Sequence, residues 1–314
     1  MRRSLLIPAL AAALAIAPAA HAAETVLAVE QQPTTVASWD TNYAWSSYDA
    51  ASKTYKLVTW QNGQKVALPV APSPRAFDVD LGTNRNGSPY AVYTRDGDIY
   101  RFGLKTGREE KVTKLSAPDA AESQPTIWSG RIAFVRREGR GWSLRYGDTT
   151  SGSKGSKLVT KIDAKDGSIT APQLTQGRVA YTVVKGSRRS IHVRTLSTGT
   201  AKSIYTASSG GANDAEVTRP AWAQNGSFLY FARTNVGSGT GNRIVRWSLS
   251  TGKLSYAQGS PRILAVDVAD PAAGFVVAEG FDAGGCLRNI YDPPDKSVCR
   301  VLTTGAVTFD ANAG

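Results

Sequence analysis

A chain of 314 residues has room for one large all-β domain or for two smaller domains, and its formal net charge at pH 7 is +12. Its two histidines are too few to build a histidine-rich metal centre. The basic balance suits a protein that binds anionic polymers, although arginine and lysine on exposed strand faces would give the same charge.

The first 22 residues have the organisation of a signal peptide. Arg2 and Arg3 precede an apolar stretch over residues 5–20, and Ala20-His21-Ala22 matches the small-residue cleavage site. An uncleaved membrane anchor is the alternative, and no other apolar segment is long enough to span a bilayer. We predict that residues 1–22 are removed, and that residues 23–314 form one domain that is secreted or held in the periplasm or cell envelope.

Short β-strands separated by turns follow in repeating units. Unit one has predicted strands at residues 35–39, 43–45, 55–60 and 65–68. Unit two has predicted strands at residues 77–80, 90–94 and 99–102, and a Thr-Gly turn at residues 106–107. These runs are rich in β-branched and aromatic residues, which favour strands.

The three central units repeat most clearly. Pro125, Pro172 and Pro220 begin them, at intervals of 47 and 48 residues. After each proline comes a glycine turn, then an apolar strand, then an alternating strand that ends in a second glycine turn. In the fifth unit the first turn is Asn225-Gly226, a pair typical of type I′ hairpins, in which both central residues need positive φ. A shared spacing at a shared period indicates copies of one supersecondary unit.

A sixth unit has predicted strands at residues 263–268, 275–278, 287–291 and 299–302. Four-stranded units at a period of about 40–50 residues predict a β-propeller, here six-bladed with antiparallel blades. Paired β-sandwiches would not repeat so regularly, and a parallel β-helix would have shorter coils. We expect the spare strand at residues 24–30 to close the ring as the outermost strand of blade six; closure by residues 306–310 near blade one is the alternative.

The repeated residues resemble the TolB-type repeat, also called the PD40 or WD40-like β-propeller repeat. Unit five matches best, with Pro220, Trp222, Asn225-Gly226 and then Thr251-Gly252. The usual Pro-Asp before the first glycine is Gln224-Asn225 here, and other units shorten that turn. The resemblance implies a fold and says little about function. TolB itself works with periplasmic partner proteins, but its separate N-terminal domain has no counterpart in this sequence, so that role is not carried over.

Basic residues recur in the loops between the second and third strands of units three to five. Equivalent loops of successive blades project from one face of a propeller, so these loops are predicted to form a continuous basic arc. The candidate ligand-binding residues are Arg136, Arg137, Arg140, Trp142, Lys185, Arg188, Arg189, Arg233 and Arg243. An arc of this kind suits an acidic glycan, a cell-wall polymer or an acidic protein. Ordinary charged hairpin tips would give the same pattern.

Two further candidates are structural or metal-binding. Cys286 and Cys299 are the only cysteines, and in an exported chain they are expected to form a disulfide that staples the last blade. Asp78, Asp80 and Asn84 lie in a glycine-containing stretch whose oxygen ligands could hold Ca²⁺. That stretch lacks the bidentate glutamate and the full spacing of an EF-hand loop, and an inward Asp80 followed by a polar turn is the simpler explanation.

The sequence predicts an exported, non-catalytic binding scaffold that contacts a protein or an anionic envelope polymer through loops on one face. We expect a monomer without a cofactor, and the exported location argues against nucleic acid as a partner. The alternative is a glycan-processing lyase or hydrolase on the same ring, which would need two carboxylates, or a carboxylate with a basic group, at the channel mouth. Its candidate carboxylates are Glu122, Asp267, Glu279 and Asp282.

Overall fold

The protein is a six-bladed β-propeller of four-stranded antiparallel blades, as the sequence predicts. The structure, a computed structural model, describes residues 24–149, 155–208, 215–235, 243–258, 263–270, 274–279, 299–304 and 306–311. In this part of the chain the helical structure is one 3₁₀ turn at Ala164–Asp166, and no helix is long and apolar enough to cross a membrane.

The chain begins with β1 (Thr25–Glu30) and then builds the blades in order. Blade one contains β2 (Val36–Trp39), β3 (Asn42–Asp49), β4 (Thr54–Gln61) and β5 (Gln64–Ala67). Blade two contains β6 (Asp80–Thr83), β7 (Pro89–Arg95), β8 (Asp98–Gly103) and β9 (Arg108–Lys111). Blade three contains β10 (Ala121–Trp128), β11 (Arg131–Glu138), β12 (Gly141–Asp148) and β13 (Lys157–Asp163).

The remaining blades follow the same plan. Blade four contains β14 (Ser168–Thr175), β15 (Arg178–Lys185), β16 (Arg188–Thr195) and β17 (Ala201–Ser208). Blade five contains β18 (Ala215–Val217), β19 (Ala221–Trp222), β20 (Phe228–Asn235), β21 (Arg243–Ser248) and β22 (Leu254–Gln258), with β18 and β19 sharing the innermost position. Blade six contains β23 (Ile263–Asp270), β24 (Gly274–Glu279) and β25 (Cys299–Thr303), and takes β1 as its fourth strand.

The turns follow the local chemistry of their residues, with one correction. Asn62 and Gly63, with φ of 50° and 80°, both lie in the left-handed region and form a two-residue hairpin between β4 and β5. At Asn225-Gly226 only the glycine has positive φ, 68°, so the type I′ prediction is wrong there. Five residues separate β19 from β20, and the Asn225 side chain instead accepts a hydrogen bond from the amide of Ser227 at 2.9 Å.

The N-terminal strand closes the ring, as predicted. β1 pairs antiparallel with β25, from Thr25 opposite Thr303 to Glu30 opposite Cys299. The alternative closure by residues 306–310 is wrong, because Asp310 forms a bridge with Tyr256 in blade five. β24 pairs directly with β25, and the strand predicted at residues 287–291 lies outside the described residues.

The hydrophobic core is divided among the junctions between blades. Six clusters of buried residues lie between successive blades, because the apolar middle strands pack on both sides. In β11, for example, Ile132, Ala133, Phe134 and Val135 are all buried, and they divide between the clusters on either side. Each blade therefore covers its neighbours, which is why a single blade would not be stable alone.

Polar side chains of the innermost strands also join the blades. At three junctions the side chain accepts a hydrogen bond from a backbone amide of the next blade: Ile127 N donates to Asp80 Oδ2 at 3.0 Å, Leu174 N to Thr126 Oγ1 at 3.1 Å, and Ser38 N to Asp267 Oδ2 at 2.7 Å. Between blades four and five side chain and backbone exchange roles, and Trp222 Nε1 donates to the Gln173 backbone carbonyl at 3.1 Å. The units repeat at nearly constant spacing, so a hydrogen bond between a side chain and the backbone recurs at all four junctions. It fixes the register of neighbouring blades near the axis.

Replacing Thr126 with valine tests this junction. Thr126 is fully buried, and its hydroxyl accepts from the Leu174 amide. Valine keeps the volume but leaves that amide without its side-chain acceptor, so the free energy of unfolding should fall by about 1–3 kcal/mol. Urea denaturation measures the change. Thr206→Val, on the exposed outer strand of blade four, is the matched control and should be nearly neutral; equal effects of the two substitutions would contradict the role of the hydrogen bond.

Candidate functional site

The propeller has two faces with different chemistry. The upper face carries the hairpins between the second and third strands of each blade, such as residues 136–142 and 185–189. The lower face carries the turns between the first and second strands and between the third and fourth, such as those at Gly130 and Gly199. Antiparallel strands alternate in direction, so every blade contributes to both faces in the same way.

Four of the predicted basic residues form an exposed set on the upper face. Arg137 and Arg140 come from blade three, and Lys185 and Arg188 come from the adjacent blade four; all four are exposed. The half-buried Trp142 lies beside this set, with the Arg137 guanidinium carbon 5.6 Å from its ring centroid. The cation–π contact holds one guanidinium over an aromatic surface that solvent can reach. We call these five residues the upper basic surface.

Arg136 does not belong to that surface. Its side chain is 8% exposed, and its Nε donates to Glu122 Oε1 at 2.8 Å. The same guanidinium also donates to the carbonyl of Leu115 and lies 3.6 Å from Glu138. Burial raises the pKa of Glu122, while Arg136 opposes that rise. The pair is therefore part of the packing between blades two and three, and the Glu122 side chain is closed off from solvent.

The other predicted basic residues are less accessible. Arg189, Arg233 and Arg243 are each partly buried. Arg233 and Arg243 are opposite each other in the β20–β21 pair of blade five. The segment between them, residues 236–242, lies outside the described residues. The exposed basic residues of the predicted arc are thus concentrated on blades three and four.

Arg219 crosses the central channel and joins four blades. It comes from the innermost part of blade five, and its guanidinium donates to the carbonyls of Val79 at 3.2 Å and Pro125 at 3.0 Å. It also donates to Gln173 Oε1 at 3.2 Å and lies 3.5 Å from Asp80 Oδ1. Sequence analysis missed this residue. The available signal was its place immediately before the repeat proline Pro220, where blades three and four have Gln124 and Ala171.

Two channel carboxylates lie near this guanidinium. Asp80 and Asp267 are only 2% and 5% exposed, and one oxygen of each carboxylate accepts a hydrogen bond from a backbone amide of the neighbouring blade. Burial raises the pKa of Asp267 to about 7, and the negative charge of Asp80 is the second cause of the rise. Hydrogen bonds from the amides of Ser38 and Val268, and the positive charge of Arg219, oppose the rise. The cluster can hold a proton near neutral pH, but its carboxylates are committed to internal hydrogen bonds.

The predicted calcium residues are used in three separate ways. Asp78 accepts from the amide and hydroxyl of Thr94 at 2.9 and 2.6 Å, whereas Asp80 accepts from Ile127 and Gln173. Asn84 Oδ1 accepts from the amides of Asn86 and Ser88 at 2.9 Å each, which closes a local turn. No group of three or more His, Cys, Asp or Glu residues suited to a metal occurs in the described part of the chain.

The histidine outside the predicted signal peptide and the described cysteine have structural surroundings. His192 is stacked on Tyr181, with ring centroids 5.4 Å apart, and burial lowers its pKa. Cys299 is fully buried in β25, and Cys286 lies outside the described residues, so their pairing stays a prediction. The predicted signal peptide at residues 1–22 also lies outside the described residues, as do Asp282 and the side chain of Glu279, so these stay predictions.

Comparison with known proteins gives matches in structure and not in sequence. No model of a known protein family matches the chain, and no curated protein sequence matches it either. Among solved structures, TolB from Acinetobacter baumannii is 15% identical over 85% of this chain, with a TM-score of 0.56. This chain spans 65% of the length of that TolB.

Two oligogalacturonate lyases are similar to the same extent. One, in complex with manganese, is 13% identical over 84% of this chain and 76% of its own length, with a TM-score of 0.56. The other, from Vibrio parahaemolyticus, is 12% identical over 90% of this chain and 86% of its own length, with a TM-score of 0.54. At such identities the likeness concerns the fold alone, and the predicted resemblance to TolB-type propellers is confirmed at that level.

Proposed function

We propose that this protein is an exported, non-catalytic binding scaffold that docks an acidic protein or an anionic envelope polymer on its upper face. The observation that carries the proposal is the upper basic surface, in which two adjacent blades carry four exposed cations and Arg137 lies over the half-buried Trp142. Exposed cations attract polyanions over a Debye length, and an amphipathic aromatic ring adds contact area. The predicted signal peptide at residues 1–22 supports an envelope location.

A glycan-processing enzyme on the same ring is the alternative. The observation in its favour is the convergence of Asp80, Asp267 and Arg219 in the channel, with the pKa of Asp267 at about 7. Two of the similar folds are oligogalacturonate lyases. Both carboxylates, however, are almost fully buried and hold neighbouring blades together. Bond cleavage in a polyuronate that disappears in Asp267→Asn would favour the enzyme over the scaffold.

Removing two cations from the upper face tests the scaffold. Arg137→Ala combined with Arg188→Ala should weaken retention on immobilised polyglutamate or polyphosphate by roughly tenfold, since each exposed ion pair contributes up to about 1 kcal/mol. Retention of the unaltered protein should fall as salt rises. The measurement is the elution position and the dissociation constant at two salt concentrations.

The control removes equal charge from the opposite face. Arg108→Ala combined with Lys253→Ala alters two exposed cations near the lower-face turns and should leave retention largely unchanged. Equal losses in both double variants would show that only net charge matters, and unchanged retention in Arg137→Ala with Arg188→Ala would contradict the proposal. Polyglutamate stands in for an acidic protein and polyphosphate for a phosphate-bearing polymer, so the stronger ligand indicates the partner class.

A further inference from the structure

Three contiguous cavities form a groove across the lower face. The central cavity, of about 690 Å³, opens at the channel and is lined by residues of blades one to five. A cavity of about 560 Å³ lies toward blades one and two and shares Trp39 with it. A third cavity, of about 450 Å³, lies toward blades three and four and shares Arg131 and Gly177 with the central cavity. Each volume is typical of a small-molecule site. We call the three together the lower groove.

Aromatic side chains are spaced along the lower groove. Trp39 and Trp128 meet edge to face at the centre, with ring centroids 5.3 Å apart. Trp60 lines one end and Tyr146 lines the other. All four are partly exposed. Flat aromatic rings that solvent can reach provide apolar surfaces on which the C–H faces of sugar rings can pack.

Amide side chains accompany the aromatic rings. Gln176 and Gln224 line the central cavity, and Asn42 and Gln61 line the cavity beside it. Nε2 of Gln224 is buried and has no hydrogen-bond partner in the described structure. An amide offers a donor and an acceptor together, which matches the hydroxyl groups of a sugar. A donor without a partner in a groove of this kind is suited to a ligand oxygen.

Positive charges outnumber negative ones along the lower groove, whose lining contains the cations Arg85, Lys105, Arg131 and Lys157 and the carboxylates Asp40 and Asp148. Lys105, Arg131 and Lys157 are exposed and have no carboxylate partner among the described residues. Arg85, at the centre, is paired with Asp148. The central cavity has two arginines and no acidic residue in its lining. An unpaired guanidinium between aromatic rings favours a ligand that carries carboxylates.

We infer that the lower groove binds an extended acidic oligosaccharide, with sugar rings packed on the tryptophans and carboxylates facing Arg131 and the lysines at either end. The size of the groove suits several sugar units, because each of its three cavities is already of small-molecule size. This site is on the face opposite the upper basic surface. It therefore does not depend on the function proposed for that surface.

Titration with oligosaccharides of defined length tests the inference. The probes are a linear di-uronate, a linear hexa-uronate and an uncharged hexose hexamer, and the readouts are calorimetry and tryptophan fluorescence. The hexa-uronate should bind at least tenfold more tightly than either other probe. Arg131→Gln should remove most of the preference for the acidic hexamer, because it removes the positive charge that faces the carboxylates. Arg131 is exposed, so its replacement should not disturb the fold.

A second variant and a control make the result decisive. Trp128→Ala should weaken both hexamers by about tenfold, whereas Arg137→Ala with Arg188→Ala should change neither. Equal affinity for acidic and neutral hexamers would overturn the acidic ligand class. Hexa-uronate binding that is lost in the upper-face variant but retained in Arg131→Gln would overturn the placement of the site. Failure of the polyglutamate experiment would leave these outcomes unaffected, so the two proposals fail separately.

Discussion

Replacing Glu30 with alanine is expected to lower the free energy of unfolding by about 3 kcal/mol. Glu30 ends β1, the strand that closes the ring, and it is 3% exposed. Its carboxylate accepts from Trp45 Nε1 at 2.6 Å and from Ser47 Oγ at 2.8 Å, and it pairs with Lys65 at 3.1 Å. All three partners belong to blade one. Alanine would leave the fully buried indole N–H without an acceptor and loosen the junction between blades six and one.

Urea denaturation followed by tryptophan fluorescence measures this change. Glu24→Ala, at the exposed start of the same segment, is the control and should alter stability by less than about 0.5 kcal/mol. Glu30→Gln should have an intermediate effect, because an amide oxygen can still accept from Trp45 while the charge facing Lys65 is lost. A Glu30→Ala protein as stable as the Glu24→Ala protein would show that β1 is held by its strand pairing alone.

The fold could be predicted because its information is local and repeated. Pro125, Pro172 and Pro220 mark copies of one unit, and each copy carries the turns and the apolar middle strand that a blade needs. Ring closure was predictable for a related reason. Residues 24–30 form a strand without a partner in their own unit, and a closed ring offers such a strand a place at the outer edge of the last blade.

The direction of individual side chains was harder to predict. Arg136 and Arg137 are neighbours in one basic loop, yet adjacent strand residues point to opposite sides of a sheet. Arg136 turns toward blade two and is buried with Glu122, its cross-strand partner, whereas Arg137 stays exposed. The register of β10 and β11 contains this information, but the sequence pattern of the loop does not.

Sites built from several blades were beyond the sequence pattern. The lower groove takes its lining from the short turns of five blades, and Arg219 meets residues far away in the chain. Each contribution is an ordinary turn or inner-strand residue in its own unit. Only the rotation of one blade relative to the next brings them together, and the repeat period does not specify that rotation.

The pH dependence of stability should reveal the channel carboxylates. The pKa of Asp267 is raised to about 7 in the folded protein, compared with an ordinary value of about 3.9. The folded state therefore binds a proton more readily than the unfolded state. Linkage requires that the contribution of Asp267 to stability is fully present below pH about 4, declines as the pH rises toward 7, and is constant above that.

The comparison of the native protein with Asp267→Asn isolates this contribution. Asparagine cannot ionise, so the stability of the variant relative to the native protein should rise by on the order of 4 kcal/mol between pH 4 and pH 8, the equivalent of about three pKa units. The variant has a constant cost at every pH, because its amide nitrogen replaces one acceptor for the amides of Ser38 and Val268. Urea denaturation at several pH values gives both curves, and Asp119→Asn, at an exposed site, should give a flat difference.

Two neighbours of Asp267 should shift the pH range in opposite directions. Asp80→Asn removes the like charge that helps to raise the pKa of Asp267, so the decline in stability should move to lower pH. Arg219→Gln removes the opposing positive charge, so the decline should move to higher pH, with an added loss because Val79 and Pro125 lose a donor. If neither variant shifted the range, burial alone would govern Asp267, and shifts in the same direction would also contradict the electrostatic coupling across the channel. Opposite shifts would show that three blades contribute to one titration, which requires their inner strands to meet at the axis.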